Sequence, residues 1–268
     1  MTSQKSGTVE ATQAVRDYWE QASCGTTVTT APKHSRTYFE KIEEHRYEHE
    51  PCIHTFAQFT RWSGKKVLEV GVGAGTDFLQ FARAGARVYG VDLTQEAVDN
   101  VRERLKLYGL RAERLECRNA EHLPFESDSF DLVYSWGVIH HAADMEKVFS
   151  EIYRVTRPGG HVKIMVYNFT SLMVLYLYLR HAVLTGKLHR GPRWALWNHL
   201  ESFGTKAYTK GQIEELLRHY PHQNLQFRYW NPIPHKGAPL ERIRRIAHIL
   251  APRRTRWFLA FEFDKSVA

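Results

Sequence analysis

Apolar and polar positions in the middle of the chain follow the rhythm of a strand–helix–strand fold. Short apolar runs predict buried strands over 66–70, 87–91, 113–117, 130–135 and 161–167. Apolar residues at helical spacing between these runs predict helices over 76–84, 95–108 and 144–156. Because strands and helices alternate repeatedly, the pattern predicts an α/β fold with a parallel sheet and right-handed crossovers.

The flanking regions carry further elements. The pattern predicts helices over 9–20, 36–50, 171–185, 209–219 and 239–250, and strands over 225–230 and 257–263. We therefore predict an N-terminal helical lid over 1–64. The α/β domain is predicted over 65–268, with insertions at 168–208 and 233–256.

Composition places the chain among ordinary globular proteins, with 268 residues, 43% hydrophobic and 25% charged. The longest apolar run, over 172–179, is too short to span a bilayer, and the N-terminus shows no apolar segment of the signal-peptide kind. The three cysteines are scattered and form no C-x-x-C pair. These features predict a cytoplasmic location.

Charge is distributed unevenly along the chain. Residues 161–268 hold 17 Lys/Arg and 6 Asp/Glu, a net of +11, whereas residues 1–160 hold 20 and 23, a net of −3. An apolar segment over 171–190 and a basic amphipathic segment over 239–250 lie in the basic part. This combination fits an anionic membrane surface, an anionic substrate or RNA, and a solvated face is the alternative.

A glycine-rich turn follows the first predicted strand, in the stretch "VLEVGVGAGTD". Such a turn lets a ligand approach the backbone closely. Asp92, at the end of the second strand, can accept hydrogen bonds from both hydroxyls of a ribose. Asn119 and Ala120, at the end of the third, can meet an adenine edge. The third glycine of the dinucleotide fingerprint G-x-G-x-x-G is replaced by Thr76, which disfavours an NAD(P) oxidoreductase.

The stretches "VLEVGVGAGTD", "VYGVDLT", "RNAEHLPFESDSFDLVYSWGVIHH" and "EIYRVTRPGGHVKI" resemble, in order and spacing, the motifs of class I S-adenosylmethionine-dependent methyltransferases. The resemblance covers roughly 65–168 and is strongest to the branch containing ubiquinone and menaquinone C-methyltransferases. It implies a Rossmann-like fold with a seven-stranded, mostly parallel sheet, S-adenosylmethionine as cofactor and S-adenosylhomocysteine as product. It also implies eight cofactor-binding residues: Glu69, Gly71, Gly73, Asp92, Leu93, Asn119, Ala120 and Ser135.

Candidate acceptor residues follow the fourth strand in "SWGVIHH". His140 and His141 are the candidate catalytic bases, with a role in helix capping or the pocket wall as the alternative. Trp136, together with Tyr18 and Tyr38 of the lid, is a candidate for binding the acceptor, with packing as the alternative. No cysteine or carboxylate cluster has ligand spacing, so no metal site is expected.

These observations predict in-line methyl transfer to a small molecule, with a lipophilic or aromatic acceptor favoured. RNA methylation using the basic C-terminal region is an alternative, disfavoured because "SWGVIHH" lacks the N/D-P-P-F/Y signature of many nucleic-acid methyltransferases. A non-catalytic cofactor-binding scaffold is a second alternative. Expected partners are a small-molecule acceptor and an anionic membrane surface, with nucleic acid disfavoured and the oligomeric state unknown. Arg36 and Arg46 are candidate anion contacts on the lid or solvated side chains.

Overall fold

A seven-stranded sheet forms the centre of the computed structural model, which describes residues 2–202, 204–232 and 252–267, with backbone alone for 2–9. The strands are β1 (Lys66–Val70), β2 (Arg87–Asp92), β3 (Arg114–Cys117), β4 (Phe130–Trp136), β5 (Thr156–Tyr167), β6 (His222–Trp230) and β7 (Phe258–Lys265). Their order across the sheet is β3-β2-β1-β4-β5-β7-β6. The first five pair in parallel and β7 runs antiparallel to both of its neighbours, so the predicted mostly parallel sheet is confirmed.

Helices cover both faces of this sheet. They are α1 (Thr2–Gln21), α2 (Arg36–His49), α3 (Cys52–Ala57), α4 (Thr76–Arg83), α5 (Gln95–Leu107), α6 (Met145–Val155), α7 (Leu172–Tyr178), α8 (Pro192–His199) and α9 (Lys210–Leu217). Short 3-10 turns occur at Thr26–Val28, Phe59–Trp62, Ile139–His141 and Arg253–Thr255. Among the described residues, no helix is both long and apolar enough to cross a membrane.

Strand β1 shows why the central strands read as almost continuous apolar runs. Successive side chains of a strand point to opposite faces. Val67 packs in the cluster that contains Phe81 of α4, whereas Leu68 packs in the cluster that contains Ile152 of α6. Because helices cover both faces, both sets of side chains are buried. Glu69 interrupts the run near the carboxyl end of β1, where the sheet meets a cavity.

Several boundaries differ from the sequence-based prediction. Strand β5 begins at Thr156, five residues before the predicted start at 161, and passes through a register shift. The helix expected over 171–185 ends at Tyr178 and continues as a π-helical turn over Leu179–Val183. Helices α3 and α8 were missed because each is too short to show a clear period. The helix predicted over 239–250 lies outside the described residues.

The side chain of Arg104 fastens the N-terminal helices to the sheet. This fully buried guanidinium on α5 donates to the carbonyl oxygen of Ala74 at 3.0 Å and to Oγ1 of Thr76 at 2.8 Å. It also donates to the carbonyl oxygen of Phe39 at 3.1 Å and to Oε2 of Glu43 at 2.8 Å, both on α2. Helix α2 is therefore held beside the glycine-rich turn.

Candidate cofactor and acceptor site

A cavity of about 340 Å³ lies at the carboxyl ends of β1, β2 and β4. This is the end at which open parallel sheets bind their ligands. Its walls come from the glycine-rich turn, from α1 and α2, from the turn at 139–141 and from Glu201 in the insertion after β5.

The glycine-rich turn packs tightly on one side and stays open on the other. Gly71 has φ of +81°, and a Cβ at this position would lie 2.3 Å from Cγ2 of Val138. Gly73 has φ of +50°, but a Cβ there would meet nothing within 4 Å. Gly71 is therefore required for packing, whereas Gly73 leaves room beside the backbone for a ligand.

Asp92 lies at the end of β2 with its carboxylate held by the glycine turn. Its Oδ2 accepts from the N–H of Gly73 at 3.1 Å, and its Oδ1 accepts from the N–H and the hydroxyl of Thr94 at 3.0 and 2.9 Å. Burial raises the pKa of Asp92, and these hydrogen bonds oppose the shift. A carboxylate has about four acceptor sites, so capacity remains for ribose hydroxyls.

Glu69 carries a buried carboxylate that the protein does not satisfy. The residue is 4% exposed, and its Oε2 has no hydrogen-bond partner among the described residues. Burial, followed by the nearby charge of Asp77, raises the pKa of Glu69 well above its ordinary value. Because a buried unpaired carboxylate is costly, the group fits a cationic ligand that lies in the cavity.

Arg46 of α2 is held at the cavity wall by Asp77. Its Nη2 lies 2.8 Å from Oδ2 of Asp77 and its Nε lies 3.1 Å from Oδ1. The hydroxyls of Tyr47 and Tyr134 each donate to the same carboxylate at 3.0 Å. Sequence reasoning named Arg46 as a candidate anion contact but missed Asp77, although Asp77 closely follows the glycine turn.

The residues predicted for the adenine also line the cavity. These are Leu93 after β2, and Asn119 and Ala120 after β3. Oδ1 of Asn119 accepts from the N–H of Glu121 at 3.0 Å, which fixes the orientation of the amide. The Asn119 amide nitrogen is then the group able to meet a ring nitrogen.

Three of the residues predicted to bind the cofactor or the acceptor do not line this cavity. Ser135 is fully buried, and its hydroxyl donates to the carbonyl oxygen of Val70 at 3.0 Å. Tyr18 is 43% exposed and meets Trp19 edge to face, and it is Trp19 that lines the cavity. Tyr38 is buried against Phe39. The roles assigned to these residues stay predictions that their placement does not support.

Trp136 lines the cavity, and its contact with the acceptor stays a prediction. The residue lies at the end of β4 with 6% exposure. Its indole N–H donates to Oε2 of Glu50 at 2.7 Å, and its ring packs against Phe258. The ring and the Glu50 carboxylate form one wall of the cavity.

The two histidines differ in their surroundings. His140 is fully buried, packs on the ring of Tyr167 at 3.9 Å and does not line the cavity. His141 lines the cavity, and its Nδ1 lies 2.9 Å from Oγ of Ser202 and 3.1 Å from Oγ1 of Thr205. Burial lowers the pKa of His140 well below its ordinary value and lowers the pKa of His141 to about 3. Both imidazoles are therefore neutral at pH 7.

Glu201 was missed by sequence reasoning because no local motif marks it. The hydroxyl of Tyr167 donates to its two carboxylate oxygens at 2.9 Å each. Its Oε2 lies 3.4 Å from Nε2 of His141. The insertion after β5 thus places a carboxylate beside His141, sixty residues away in sequence.

Comparison with known proteins identifies the central part of the chain. Residues 68–164 match the family model described as a methyltransferase domain. Phosphoethanolamine N-methyltransferase 2 of Caenorhabditis elegans is 37% identical over 106 residues, which is 39% of this chain and 24% of that protein. Phthiotriol/phenolphthiotriol dimycocerosates methyltransferase of Mycobacterium leprae is 34% identical over 46% of this chain and 45% of that protein. The chain thus spans less than half the length of these curated relatives.

Solved structures share the fold over most of the chain. Geranyl diphosphate C-methyltransferase of Streptomyces coelicolor, solved with Mg²⁺, geranyl diphosphate and S-adenosylhomocysteine, has a TM-score of 0.61 at 14% identity, covering 95% of this chain and 97% of that one. Phosphoethanolamine N-methyltransferase 2 of Haemonchus contortus has a TM-score of 0.61 at 19% identity, covering 94% and 60%. At 14% and 19% sequence identity, the likeness to these structures shows a shared fold and no more than that.

The cavity residues fit the cofactor that the motifs imply. The unpartnered carboxylate oxygen of Glu69 suits an ammonium group, and the open side of Gly73 leaves room beside the backbone. Asp92 keeps acceptor capacity for a ribose. Residues 68–164 thus match a methyltransferase domain, and most of the chain shares the fold of a solved C-methyltransferase that holds S-adenosylhomocysteine.

Proposed function

We propose that this protein transfers the methyl group of S-adenosylmethionine to a small-molecule acceptor bound in the same cavity, between the glycine turn and Glu201. The observation that carries the proposal is the buried, unpartnered carboxylate oxygen of Glu69 beside the open glycine turn. Leaving this buried carboxylate oxygen without a partner costs free energy, whereas a cationic cofactor would pair with it.

The bound cofactor supplies an activated methyl group on a sulfonium. The protein supplies orientation: Glu69 meets the amino group, Arg46 the carboxylate, and Asp92 the ribose hydroxyls, while Asn119 meets the adenine. Holding donor and acceptor in line is worth on the order of 7–11 kcal/mol of the barrier. The enclosed position of the cavity beneath α1 and α2 also keeps water from the reacting atoms.

Aromatic rings and two carboxylates define the acceptor end. The rings of Trp19, Trp136 and Tyr167 line the wall, and the carboxylates of Glu50 and Glu201 lie among them. This lining supports a small acceptor with an apolar or aromatic body and one polar group. Named acceptors of similar proteins include phosphoethanolamine and geranyl diphosphate, which supports a small molecule rather than nucleic acid.

Of the two predicted catalytic histidines, the geometry favours His141 as the group that meets the acceptor. His141 lines the cavity, whereas His140 is enclosed behind it. Because burial lowers its pKa to about 3, His141 is a weak base at pH 7, and its role is to orient the acceptor by a hydrogen bond.

A methylation screen tests the proposal. The purified protein is incubated with radiolabelled S-adenosylmethionine and panels of phenols, quinone precursors and amines, with Glu69→Gln as the paired variant. Acceptor-dependent production of S-adenosylhomocysteine that the variant lowers supports methyl transfer. Binding of S-adenosylhomocysteine without turnover on any small-molecule panel, but with turnover on RNA, would refute the proposed substrate class.

We also propose that the segment 172–188 contacts an anionic membrane surface. Its exposed apolar side chains are Leu172, Leu175, Tyr176, Leu179, Leu184 and Leu188. Arg180, Lys187 and Arg190 accompany them, and such a combination suits a lipid interface. Sedimentation with phosphatidylserine vesicles at low salt, but not with phosphatidylcholine vesicles, is expected. Equal recovery with both vesicle types would contradict this contact. A cytoplasmic location stays a prediction from the cysteine pattern.

A further inference from the structure

Three ligand-type side chains meet at the acceptor end of the cavity. His140, His141 and Glu201 each offer one atom, and the three atoms lie within 4.8 Å of one another. Two imidazoles and one glutamate form a donor set used by catalytic zinc sites, in which a further position stays open. We propose that these three residues bind one divalent transition-metal ion.

The hydrogen bonds of His141 fix which ring nitrogen is available. The hydroxyl of Thr205 donates to the carbonyl oxygen of Ser202 at 2.6 Å, so its oxygen can only accept from Nδ1 of His141 at 3.1 Å. We assign the proton to Nδ1, because only this tautomer makes hydrogen bonds of both contacts, with Oγ of Ser202 at 2.9 Å as the second acceptor. This leaves a lone pair on Nε2. Metal-binding histidines are oriented in the same way, by a hydrogen bond from the other ring nitrogen.

That lone pair faces another acceptor. Nε2 of His141 lies 3.4 Å from Oε2 of Glu201, whose carboxylate already accepts from Tyr167. Two acceptors facing each other need a proton or a cation between them. Two ligands about 2.1 Å from a tetrahedral metal lie about 3.4 Å apart, which matches this separation.

His140 supplies independent support. It is fully buried, and neither Nδ1 nor Nε2 has a hydrogen-bond partner among the described residues. A buried unpaired polar group of this kind is costly, and coordination would satisfy one of the two ring nitrogens. The ligand atoms lie within 4.8 Å of one another, and a tetrahedral site brings them to roughly 3.4 Å, so the largest distance must shorten by up to about 1.4 Å.

The site would leave its open position facing the acceptor. His141 and Glu201 line the cavity, so an oxygen or nitrogen atom of the acceptor could complete the coordination. The assignment of this oxygen or nitrogen atom to the acceptor rests on the proposed function, whereas the metal site itself does not. Lys206 lies near both histidines, and its ammonium is directed at the carbonyl oxygens of Ala142 and Ala143 at 2.6 and 3.2 Å.

Metal titration of the full chain tests the proposal. The protein is stripped with EDTA, dialysed and titrated with Co²⁺ and Zn²⁺, following the visible absorption of Co²⁺ and the heat of Zn²⁺ binding. We expect one ion per chain, and at least about 10-fold weaker binding in Glu201→Gln and in His141→Gln. The matched controls are Glu214→Gln and His219→Asn, two exposed residues of the region after β5, and they should bind as the wild type does.

The outcomes separate the metal site from the methyltransferase function. Far-UV circular dichroism and S-adenosylhomocysteine binding report whether each variant is folded. No uptake, or equal uptake by the wild type and both site variants, would overturn the metal site. Full acceptor methylation by protein kept in EDTA would contradict coordination of the acceptor by the metal. Failure of the wild type to bind S-adenosylhomocysteine would instead contradict the proposed function.

Discussion

Two alanine substitutions in the glycine-rich turn should separate packing from ligand binding. Both Gly71 and Gly73 have positive φ, so each alanine costs about 1–2 kcal/mol of backbone strain. At Gly71 the new Cβ would also lie 2.3 Å from Cγ2 of Val138, and overpacking of this kind costs a further 1–3 kcal/mol, roughly. Gly71→Ala should therefore lower the free energy of unfolding by about 2–5 kcal/mol.

Gly73→Ala should behave differently. Its Cβ meets no protein atom within 4 Å, so the loss of stability should stay near 1–2 kcal/mol, on the order of the backbone strain alone. The methyl group would instead occupy space beside the proposed cofactor. We expect S-adenosylhomocysteine binding to weaken at least 10-fold, roughly the effect of 1.4 kcal/mol.

Urea unfolding and calorimetric titration with S-adenosylhomocysteine measure the two effects on the same preparations. The reasoning predicts that Gly71→Ala has the lower midpoint and that Gly73→Ala loses affinity out of proportion to its stability. A Gly73→Ala variant that binds as the wild type does would refute the assignment of the open side of the turn. Equal unfolding midpoints for the two variants would refute the packing argument.

Glu69→Gln should weaken S-adenosylhomocysteine binding about 10- to 150-fold in calorimetry, because a charge-assisted hydrogen bond is worth about 1.5–3 kcal/mol. The same variant should be at least as stable as the wild type at pH 7, since it removes a buried carboxyl group whose Oε2 has no hydrogen-bond partner among the described residues, and a clear loss of stability would contradict this. Arg104→Ala should lose roughly 3–5 kcal/mol in urea unfolding because it breaks a buried ionic network, and a loss below about 1 kcal/mol would be inconsistent with that role. The pKa of His141 is lowered to about 3, so the unfolded chain binds more protons between that value and about 6.5. The contribution of His141 to stability is full above about pH 6.5 and falls by up to about 1.4 kcal/mol per pH unit on acidification. In EDTA, His141→Gln should therefore lose less stability than the wild type between pH 7 and pH 5. Equal losses would count against the lowered pKa.

The parts of the site that sequence analysis could predict are encoded locally. Gly71, Gly73 and Asp92 directly follow buried strands, and the carboxyl ends of parallel strands meet at one edge of the sheet. Their positions thus follow from strand order alone. Glu201 could not be found in this way, because a long insertion brings it back to the cavity and no local spacing records that path.

Helical geometry explains why Trp19 of α1, and not its neighbour Tyr18, lines the cavity. Tyr18 was chosen as an acceptor contact, but Trp19 lines the cavity together with Val15, four residues earlier. Residues four apart share one face of a helix, whereas adjacent residues are turned by about 100°. The Val15–Trp19 spacing was therefore a usable signal. A similar argument separates Ser135 from Trp136, since successive strand residues point to opposite faces and Trp136 is the one that lines the cavity.

The central claim is that the cavity binds S-adenosylmethionine, and titration of the wild type with S-adenosylmethionine, S-adenosylhomocysteine and NAD⁺ tests it most directly. The account predicts one site per chain that binds the first two and not the third. Binding of NAD⁺ alone, or of none of the three, would contradict it.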